Sequence, residues 1–323
     1  MMKTRILYLL IVPVLFFAGC KKSSEPAPTV QTINPPFKAS TRVTLGVRIS
    51  SPVKQSFLVG GVYVGESSNP EINLGSKFNF ASDTGLYYAV VSRFTANKQY
   101  YVKGYAANAG GEVLGSEITF TTNPTVLDND NNEVETVTIG TQTWMANNLK
   151  SVHYRNGDVI GTTSPVTLDI TAENSPVYQW FANGSYDTSK VYGNLYTWYA
   201  VTDGRFICPT GWHLPTDDEW TTMEGFLGGI LFSGSVLKET GNKHWIAPYN
   251  TDANNMTCFT ALPAGYRPAS GSFALLHNEA HFWSATESET SKAWERMLSA
   301  TSFSTARQGA DKRAGLSVRC IKD

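Results

Sequence analysis

The stretch CPTGWHLPTDDEW, Cys208 to Trp220, places a thiol, an imidazole and three carboxylates within thirteen residues. Side chains of these types perform nucleophilic attack and acid–base catalysis when they converge in one site. Thr216 to Glu219 (TDDE), however, has the S/T-x-x-E pattern of a helix capping box, and apolar residues follow at helical spacing. We therefore predict a capped helix with acidic residues in its first turn, and His213 as a packed or hydrogen-bonded side chain. No catalytic residue is assigned.

Two other clusters have residue types that bind metal ions. His277 and His281 are four residues apart, but the residue after the first histidine is not the glutamate of the metalloprotease pattern. The acidic stretch from residue 127 has Glu133 and Ile139 where a calcium-binding EF-hand loop needs glycine and glutamate. We expect a solvated turn before a strand over residues 133–139, and neither a metal site nor a cofactor.

Three cysteines follow the N-terminal region, Cys208, Cys258 and Cys320, so one disulfide and one free thiol are expected if the chain is exported. A bond between Cys208 and Cys320 closes the longest loop, and the chain-entropy model assigns such a bond about 4 to 5 kcal/mol. This argument favours Cys208–Cys320, with Cys258 as a buried free thiol. The other two pairings remain possible on this evidence.

The first 19 residues have the order of a secretory signal, with basic residues, an apolar run and then small residues. The apolar run is too short to span a bilayer, which takes about 20 residues. Phe17 to Cys20 (FAGC) resembles the lipobox of bacterial lipoproteins. The resemblance implies cleavage before Cys20, acylation of Cys20 and a lipid anchor in the bacterial outer membrane, on its periplasmic face or at the cell surface. Residues 20–36, rich in Pro, Ser and Thr, are expected to form a flexible tether.

The composition bounds the rest of the chain. The 323 residues carry 26 Lys and Arg against 27 Asp and Glu, and this balance argues against a nucleic-acid partner, which needs a clustered basic face. All eight tryptophans lie between Trp144 and Trp294. The aromatic composition therefore changes near residue 124, and we predict two domains, 37–123 and 124–323.

The first domain has the alternation of β-strands. Tyr100, Val102, Gly104 and Ala106 fall on one face of a predicted strand. The spacing Phe94-x-Ala96-x-Lys98-x-Tyr100, with the turn residues that follow the strand, resembles a fibronectin type III domain. The resemblance implies an all-β, seven-stranded sandwich, and the role expected of it is that of a spacer.

The second domain contains several motifs with a shared resemblance. They are VTIGTQTWMANNLKSVHYRNGDVI, YGNLYTWYAV, CPTGWHLPTDDEW, ALPAGYRPASGSF, FWSATES and GLSVRCIKD. Their order and spacing over residues 127–323 resemble the Fibrobacter succinogenes major paralogous domain, which is common in surface-exposed lipoproteins and has no established biochemical activity. The resemblance implies a Cys208–Cys320 disulfide. The pattern is also similar to the α+β C-type-lectin-like fold that formylglycine-generating enzymes share, although neither the lectins' calcium-site tripeptides nor the enzymes' paired reactive cysteines are matched.

Trp180 and Trp245 stand among loop residues and are our candidates for exposed, ligand-binding rings. Together these features predict an exported lipoprotein, attached to the membrane through acyl chains on Cys20, that acts as a non-catalytic binding or adhesion module for a glycan or a protein. Two alternatives remain. One is an enzyme acting on extracellular polymers through an unrecognised active site, and the other is a structural component of a surface assembly.

Overall fold

The computed structural model describes residues 26–54, 57–248, 250 and 252–323. The predicted signal, Cys20 and the start of the predicted tether lie outside these residues. The strands are β1 (Thr29–Ile33), β2 (Lys38–Ala39), β3 (Arg42–Ser50), β4 (Val59–Gly65), β5 (Ser76–Ala81), β6 (Gly85–Ser92), β7 (Gln99–Asn108), β8 (Gly111–Thr121), β9 (Val126–Leu127), β10 (Glu133–Val134), β11 (Thr136–Ile139), β12 (Gln142–Met145), β13 (Gln179–Phe181), β14 (Asn194–Tyr196), β15 (Trp212–His213), β16 (Glu279–Glu289), β17 (Lys292–Ser299), β18 (Thr305–Asp311) and β19 (Ile321–Lys322). The helices are a 3₁₀ turn (Ala182–Gly184), α1 (Tyr186–Tyr192), α2 (Trp198–Val201), α3 (Asp217–Phe226) and α4 (Ile230–Leu237). No helix within this part of the chain is long and apolar enough to cross a bilayer.

The first domain is a β-sandwich, as predicted. Strands β1, β3 and β6 form one face, and β5, β4, β7 and β8 form the other in that order. The predicted alternation in β7 is confirmed for Tyr100, Val102 and Ala106, which are buried, but not for Tyr105 on the opposite face, which is buried as well. The hydroxyl of Tyr100 accepts a hydrogen bond from the backbone N–H of Thr95 at 2.9 Å, so the ring fixes the corner through which the chain enters β7.

The flexible tether predicted over residues 20–36 is wrong from Thr29 onward. Residues Thr29–Ile33 form β1, which pairs antiparallel with β3 in the sandwich. The backbone N–H of Gly104 donates to the Thr32 hydroxyl at 2.8 Å, which ties β1 to the opposite sheet. Five residues with two apolar side chains are too short a pattern to distinguish a strand from a polar linker. The sandwich therefore begins before residue 37, and residues 29–33 belong to it.

The two domains share a β-sheet. Strand β2 pairs with β3 on one side and with β11 on the other, and the sheet continues through β12 and β19 to β15. Ser40 reinforces this junction: its hydroxyl donates to the carbonyl of Pro124 at 2.9 Å and accepts from the N–H of Thr136 at 2.9 Å. Backbone pairing across the junction holds the second domain in a defined orientation relative to the sandwich.

The N-terminal chain enters the sandwich at one end, and the second domain is joined to the other end. The side-chain amide of Asn108, at the far end of β7, donates to the carbonyl of Pro26 at 3.1 Å. The opposite end holds Asn123, whose N–H donates to the carbonyl of Ala39 at the junction. Strand β7 has 10 residues, and at about 3.3 Å each the two ends are separated by about 30 Å.

The second domain combines short helices, short strands and long ordered loops. Besides the shared sheet it contains an antiparallel sheet of β16, β17 and β18. One core cluster is built around Trp144, Trp220, Phe259 and Phe282, with ring centroids of Trp144 and Trp220 at 4.7 Å. Rings bury much area per residue, and they form a core here although regular elements are few.

Buried arginines tie the loops of this domain together. Arg319 donates to the side-chain carbonyl of Asn148 and to the backbone carbonyl of Thr260, both at 2.9 Å. Arg267 donates to the backbone carbonyl of Leu168 at 2.6 Å. A guanidinium has five N–H donors in a rigid plane. It can therefore donate hydrogen bonds to several loop carbonyls at once, where no neighbouring strand supplies a backbone donor.

Candidate binding surface

The capped helix predicted at Thr216 is confirmed. Helix α3 begins at Asp217; the Thr216 hydroxyl accepts from the N–H of Glu219 at 3.3 Å, and the Glu219 carboxylate accepts from the N–H of Thr216 at 2.8 Å. Asp217 has a further role that the pattern did not predict. Its carboxylate pairs with Arg296 at 2.7 Å and with Arg307 at 2.8 Å, which ties α3 to the β17–β18 sheet.

His213 is hydrogen-bonded through both ring nitrogens, in agreement with the prediction. Nδ1 lies 2.7 Å from the carboxylate of Asp323, and Nε2 lies 2.9 Å from that of Glu219. Partial burial of the ring opposes protonation, but the hydrogen bonds to the two carboxylates prevail and raise the pKa of His213. An imidazole held in this way links the end of β19 to the start of α3.

The disulfide joins Cys208 to Cys320, as favoured from the sequence. It connects the loop before β15 to the residue preceding β19, and these two strands pair with each other. Cys258 is a buried free thiol, also as predicted. Its sulfur lies 3.7 Å from the hydroxyl of Thr44 in the sandwich, and burial raises the pKa of the thiol to about 11. The uncharged thiol therefore packs at the domain junction.

The predicted exposure of Trp180 and Trp245 is wrong. Each side chain is only 1% exposed. The indole N–H of Trp180 donates to the hydroxyl of Thr163 at 2.8 Å, and that of Trp245 donates to the carbonyl of Ala261 at 3.1 Å. Loops in this domain are part of the packed interior, so polar sequence neighbours do not indicate an exposed ring. Neither tryptophan is available to a ligand.

The two histidines considered for a metal site make separate contacts. His277 bonds the carbonyl of His244 at 2.8 Å, whereas His281 lies between Glu279 at 2.9 Å and Glu295 at 2.8 Å. Burial opposes protonation of His281, but the two carboxylates prevail and raise its pKa to about 9. The charged ring then donates through both nitrogens and has no lone pair for a metal. Over the described ranges, no group of three or more His, Cys, Asp or Glu is placed to hold a metal ion.

The acidic stretch near residue 128 forms a turn that is exposed at Asn131, as predicted, but that encloses Asp128. Asp128 is buried, and one of its carboxylate oxygens accepts from the N–H groups of Asp130 and Asn132, both at 2.9 Å. Asp130 in turn accepts from the N–H of Val152 at 2.6 Å. These carboxylates are therefore used in fixing two loops against each other.

Two cavities lie on the sandwich and at the junction. One of about 970 Å³ follows the open side between β5 and β6. Another of about 720 Å³ lies at the junction and is lined by groups that include Phe94, Glu133 and Lys150. Neither cavity is lined by the His281 cluster or by the Asp217 cluster. Lys150, whose pKa is lowered by burial, lines the junction cavity. His213 and Asp203 line a smaller cavity of about 310 Å³ in the second domain.

An exposed apolar surface surrounds the start of α4. We call it the α4 surface, and its members come from the end of α3, the first turn of α4 and the loop before β18. They are Phe226, Ile230, Leu231, Phe232 and Phe303. The backbone N–H of Ser235 donates to the carbonyl of Phe303 at 3.0 Å, which holds the loop against the helix.

The burial pattern of α4 is inverted in its first turns. Ser233 and Gly234 face the interior; the Ser233 hydroxyl bonds that of Thr305 at 2.6 Å, and a Cβ on Gly234 would lie 2.4 Å from a backbone oxygen. Leu231 and Phe232 point outward and are 62% and 60% exposed. A surface helix ordinarily buries its large apolar residues. Exposed apolar groups of this size on neighbouring stretches of chain are typical of an interaction site.

Sequence reasoning missed the α4 surface. The segment GFLGGILFSGS has apolar residues at helical spacing, which usually indicates a core-facing helix. The available signal was the pair Ser233 and Gly234 directly after three large apolar residues. Only small side chains permit close contact with a neighbouring backbone, and such contact turns the large side chains toward solvent.

The fold is that of a two-domain protein. A β-sandwich is joined through a shared sheet to a disulfide-bridged domain of strands, short helices and long loops. Residues 137–322 match the family model described as the Fibrobacter succinogenes major domain, and the chain belongs to this family. Among solved structures the chain is similar to the solution structure of the fibronectin type-III domain of human fibronectin type III domain containing protein 3. The identity is 20%, the match covers 33% of this chain and 94% of that chain, and the TM-score is 0.23. No curated protein matches the chain.

Proposed function

We propose that this protein is an exported, lipid-anchored surface protein whose second domain binds a glycan or a protein without catalysing a reaction. The observation that carries the proposal is the inverted helix α4, which exposes Leu231 and Phe232 while it buries Ser233 and Gly234. Leaving such side chains in water forgoes about 1.5 to 3 kcal/mol each. A partner that covers them recovers this free energy on binding.

The chemistry of the α4 surface favours a protein over a glycan. Sugar sites combine an aromatic face with polar groups that bond the hydroxyls. The centre of a protein interface is instead apolar and enriched in aromatic residues. Three of the five members of the α4 surface are phenylalanines and the other two are aliphatic. A protein partner is therefore the first class to test.

The sandwich suits the role of a spacer. The N-terminal chain enters at the Asn108 end and the second domain docks at the opposite end. An anchor at Cys20, expected from the lipobox resemblance, would then lie on the side away from the binding domain. The shared sheet keeps the second domain extended from that anchor rather than folded back on it.

A C-type-lectin-like fold for the second domain is part of the proposal. It is supported by the pairing of the β11–β12 hairpin with β19 near the end of the chain, by the separate sheet of β16, β17 and β18, and by long ordered loops. In such a domain the loops and short helices would form the recognition face, while the paired strands support it.

The test is a screen of residues 26–323, with the disulfide intact, against arrays of glycans and of surface and extracellular proteins. The matched variants are Leu231→Ser with Phe232→Ser, and Ile72→Ser as a control, because Ile72 is an exposed apolar residue on the sandwich. We expect saturable binding that the double substitution abolishes and the control retains. Binding that survives the double substitution would refute the α4 surface. Silence on both arrays, with turnover of a polymer in a parallel hydrolase panel, would refute the non-catalytic role.

A further inference from the structure

The junction cavity, of about 720 Å³, lies between the sandwich and the second domain. Its walls come from both domains, with Thr41, Thr95 and Asn97 on the sandwich side and Glu133 and Lys150 on the other. Its volume is within the range of about 300 to 1,000 Å³ that is usual for ligand sites, and such sites are frequent at domain interfaces. No member of the α4 surface lines it, so a ligand held here occupies a second site.

Hydrogen bonds fix the walls of the junction cavity. On the sandwich side, the backbone N–H of Asn97 donates to the carbonyl of Asn123 at 3.1 Å. In the second domain, the backbone N–H of Glu135 donates to the side-chain carbonyl of Asn147 at 2.8 Å. Because the walls are already ordered, a ligand that binds between them loses little free energy in ordering the protein.

The charges at the junction cavity balance each other. The carboxylate of Glu135 forms an ion pair with Arg42 at 2.6 Å. Glu133 and Lys150 then supply one further charge of each sign. A site with this balance attracts neither anions nor cations over a distance. The cavity is therefore polar but close to neutral, which favours a ligand without net charge.

Several polar groups of the junction cavity have unused hydrogen-bonding capacity. The side chains of Thr41 and Asn97 make no hydrogen bond to any residue that the structure describes. The ammonium of Lys150 has three donors, and it donates to the carbonyl of Lys190 at 2.6 Å. Burial lowers the pKa of Lys150, so this ammonium is incompletely solvated and gains from a further acceptor. Glu133 adds carboxylate acceptors on the same side of the cavity.

We propose that the junction cavity binds a short, neutral oligosaccharide. A sugar hydroxyl both donates and accepts, so it can donate to Glu133 and accept from Lys150, while the amide of Asn97 can serve either role. Phe94 and Pro124, which also line the cavity, supply apolar surface for the C–H face of a sugar ring. This site is separate from the α4 surface and does not depend on that surface binding a protein.

The experiment measures the binding of tetrasaccharides to the full chain by isothermal titration calorimetry, in a zwitterionic detergent because glycoside detergents would compete. The probes are neutral tetrasaccharides of glucose, of mannose and of galactose, an anionic one of galacturonic acid and a cationic one of glucosamine. Lys150→Met and Asn97→Gly each remove a polar group of the cavity, and glycine accepts the φ of 52° at residue 97. The matched control is Lys243→Met, because Lys243 is an exposed lysine of the second domain that does not line the cavity.

We expect at least one neutral tetrasaccharide to bind more tightly than either charged one. Lys150→Met should weaken this binding about tenfold or more and Asn97→Gly about threefold or more, because a charged donor contributes more than a neutral one. Lys243→Met and the combined Leu231→Ser and Phe232→Ser should leave it unchanged. If Lys150→Met does not fold, Asn97→Gly alone decides the test.

The opposing outcomes are distinct. No binding of any neutral tetrasaccharide at millimolar concentration, or tighter binding of a charged one, overturns the inference. Binding that Asn97→Gly leaves at full strength places the sugar outside the cavity and also overturns it. If the substitutions at Leu231 and Phe232 then abolish that binding, the glycan belongs to the α4 surface, and the proposed function stands without a junction site.

Discussion

The buried ion cluster between α3 and the β17–β18 sheet should be the most sensitive electrostatic feature of the second domain. Arg296 is fully buried and bonds both Asp217, at 2.7 Å, and Glu224, at 3.0 Å. The substitution Arg296→Met preserves much of the side-chain volume but leaves these carboxylates without their buried cation. Removing one member of a buried pair costs about 3 to 5 kcal/mol. We expect the free energy of unfolding of the second domain to fall by that amount.

Tryptophan fluorescence measures this domain selectively, because all eight tryptophans lie between Trp144 and Trp294. Urea titrations of the wild-type protein and of Arg296→Met give the difference directly. The matched control is Arg307→Met, which removes a second arginine from Asp217. The Arg307 side chain is 37% exposed, so solvent screens the lost interaction and the cost should be about 1 kcal/mol or less.

A double-mutant cycle separates the ion pair from the packing of the side chain. Glu224→Gln combined with Arg296→Met should cost clearly less than the sum of the single substitutions, because the double variant no longer leaves Glu224 charged and unpaired. Equal losses for Arg296→Met and Arg307→Met, or strict additivity in the cycle, would refute the reasoning from burial.

Four further variants test other parts of the structure. The pKa of His281 is raised to about 9, so the contribution of the charged ring to stability is complete below about pH 6.5 and is lost as the pH rises through 9. The free energy of unfolding should fall by about 3 kcal/mol over that range. His281→Gln should flatten this pH dependence in urea titrations. Replacing Cys208 and Cys320 by alanine should cost about 2 to 5 kcal/mol in the same assay. Gly234→Ala should lower the free energy of unfolding by about 1 to 3 kcal/mol, because its Cβ clashes with a neighbouring backbone oxygen. Gly225→Ala has no atom near its added Cβ and should stabilise α3 by up to about 1 kcal/mol. Thermal unfolding measures both changes.

Each of these expectations has an opposing outcome. A pH profile unchanged by His281→Gln would mean that other groups set the alkaline loss of stability. A disulfide-free variant as stable as wild type would show that the β15–β19 pairing and the core suffice without the crosslink. Equal effects of the two glycine substitutions would remove the steric explanation for the inverted face of α4.

The features that the sequence predicted correctly are local or nearly so. The capping box at Thr216 and Glu219 involves residues three apart, and the alternation of β7 is visible within ten residues. The Phe94-to-Tyr100 spacing, which carries the resemblance to a fibronectin type III domain, likewise spans only seven residues. Physical interactions of this range are determined by the order of neighbouring side chains, so a pattern suffices to recognise them. The Cys208–Cys320 bond was favoured for a different reason, since loop length and the family resemblance both pointed to it.

What only the tertiary structure decided depends on partners distant in the chain. Strand β1 was mistaken for a tether because its stabilising partners, β3 and the opposite sheet, are distant in the chain. Trp180 and Trp245 were expected at the surface because their sequence neighbours do not indicate the core that covers them. The outward side of α4 depends on the backbone beside Gly234, about 70 residues later in the chain. The physical reason is common to all three. Burial is a property of the assembled packing, and in a domain rich in ordered loops the polarity of sequence neighbours does not determine which side chains that packing encloses.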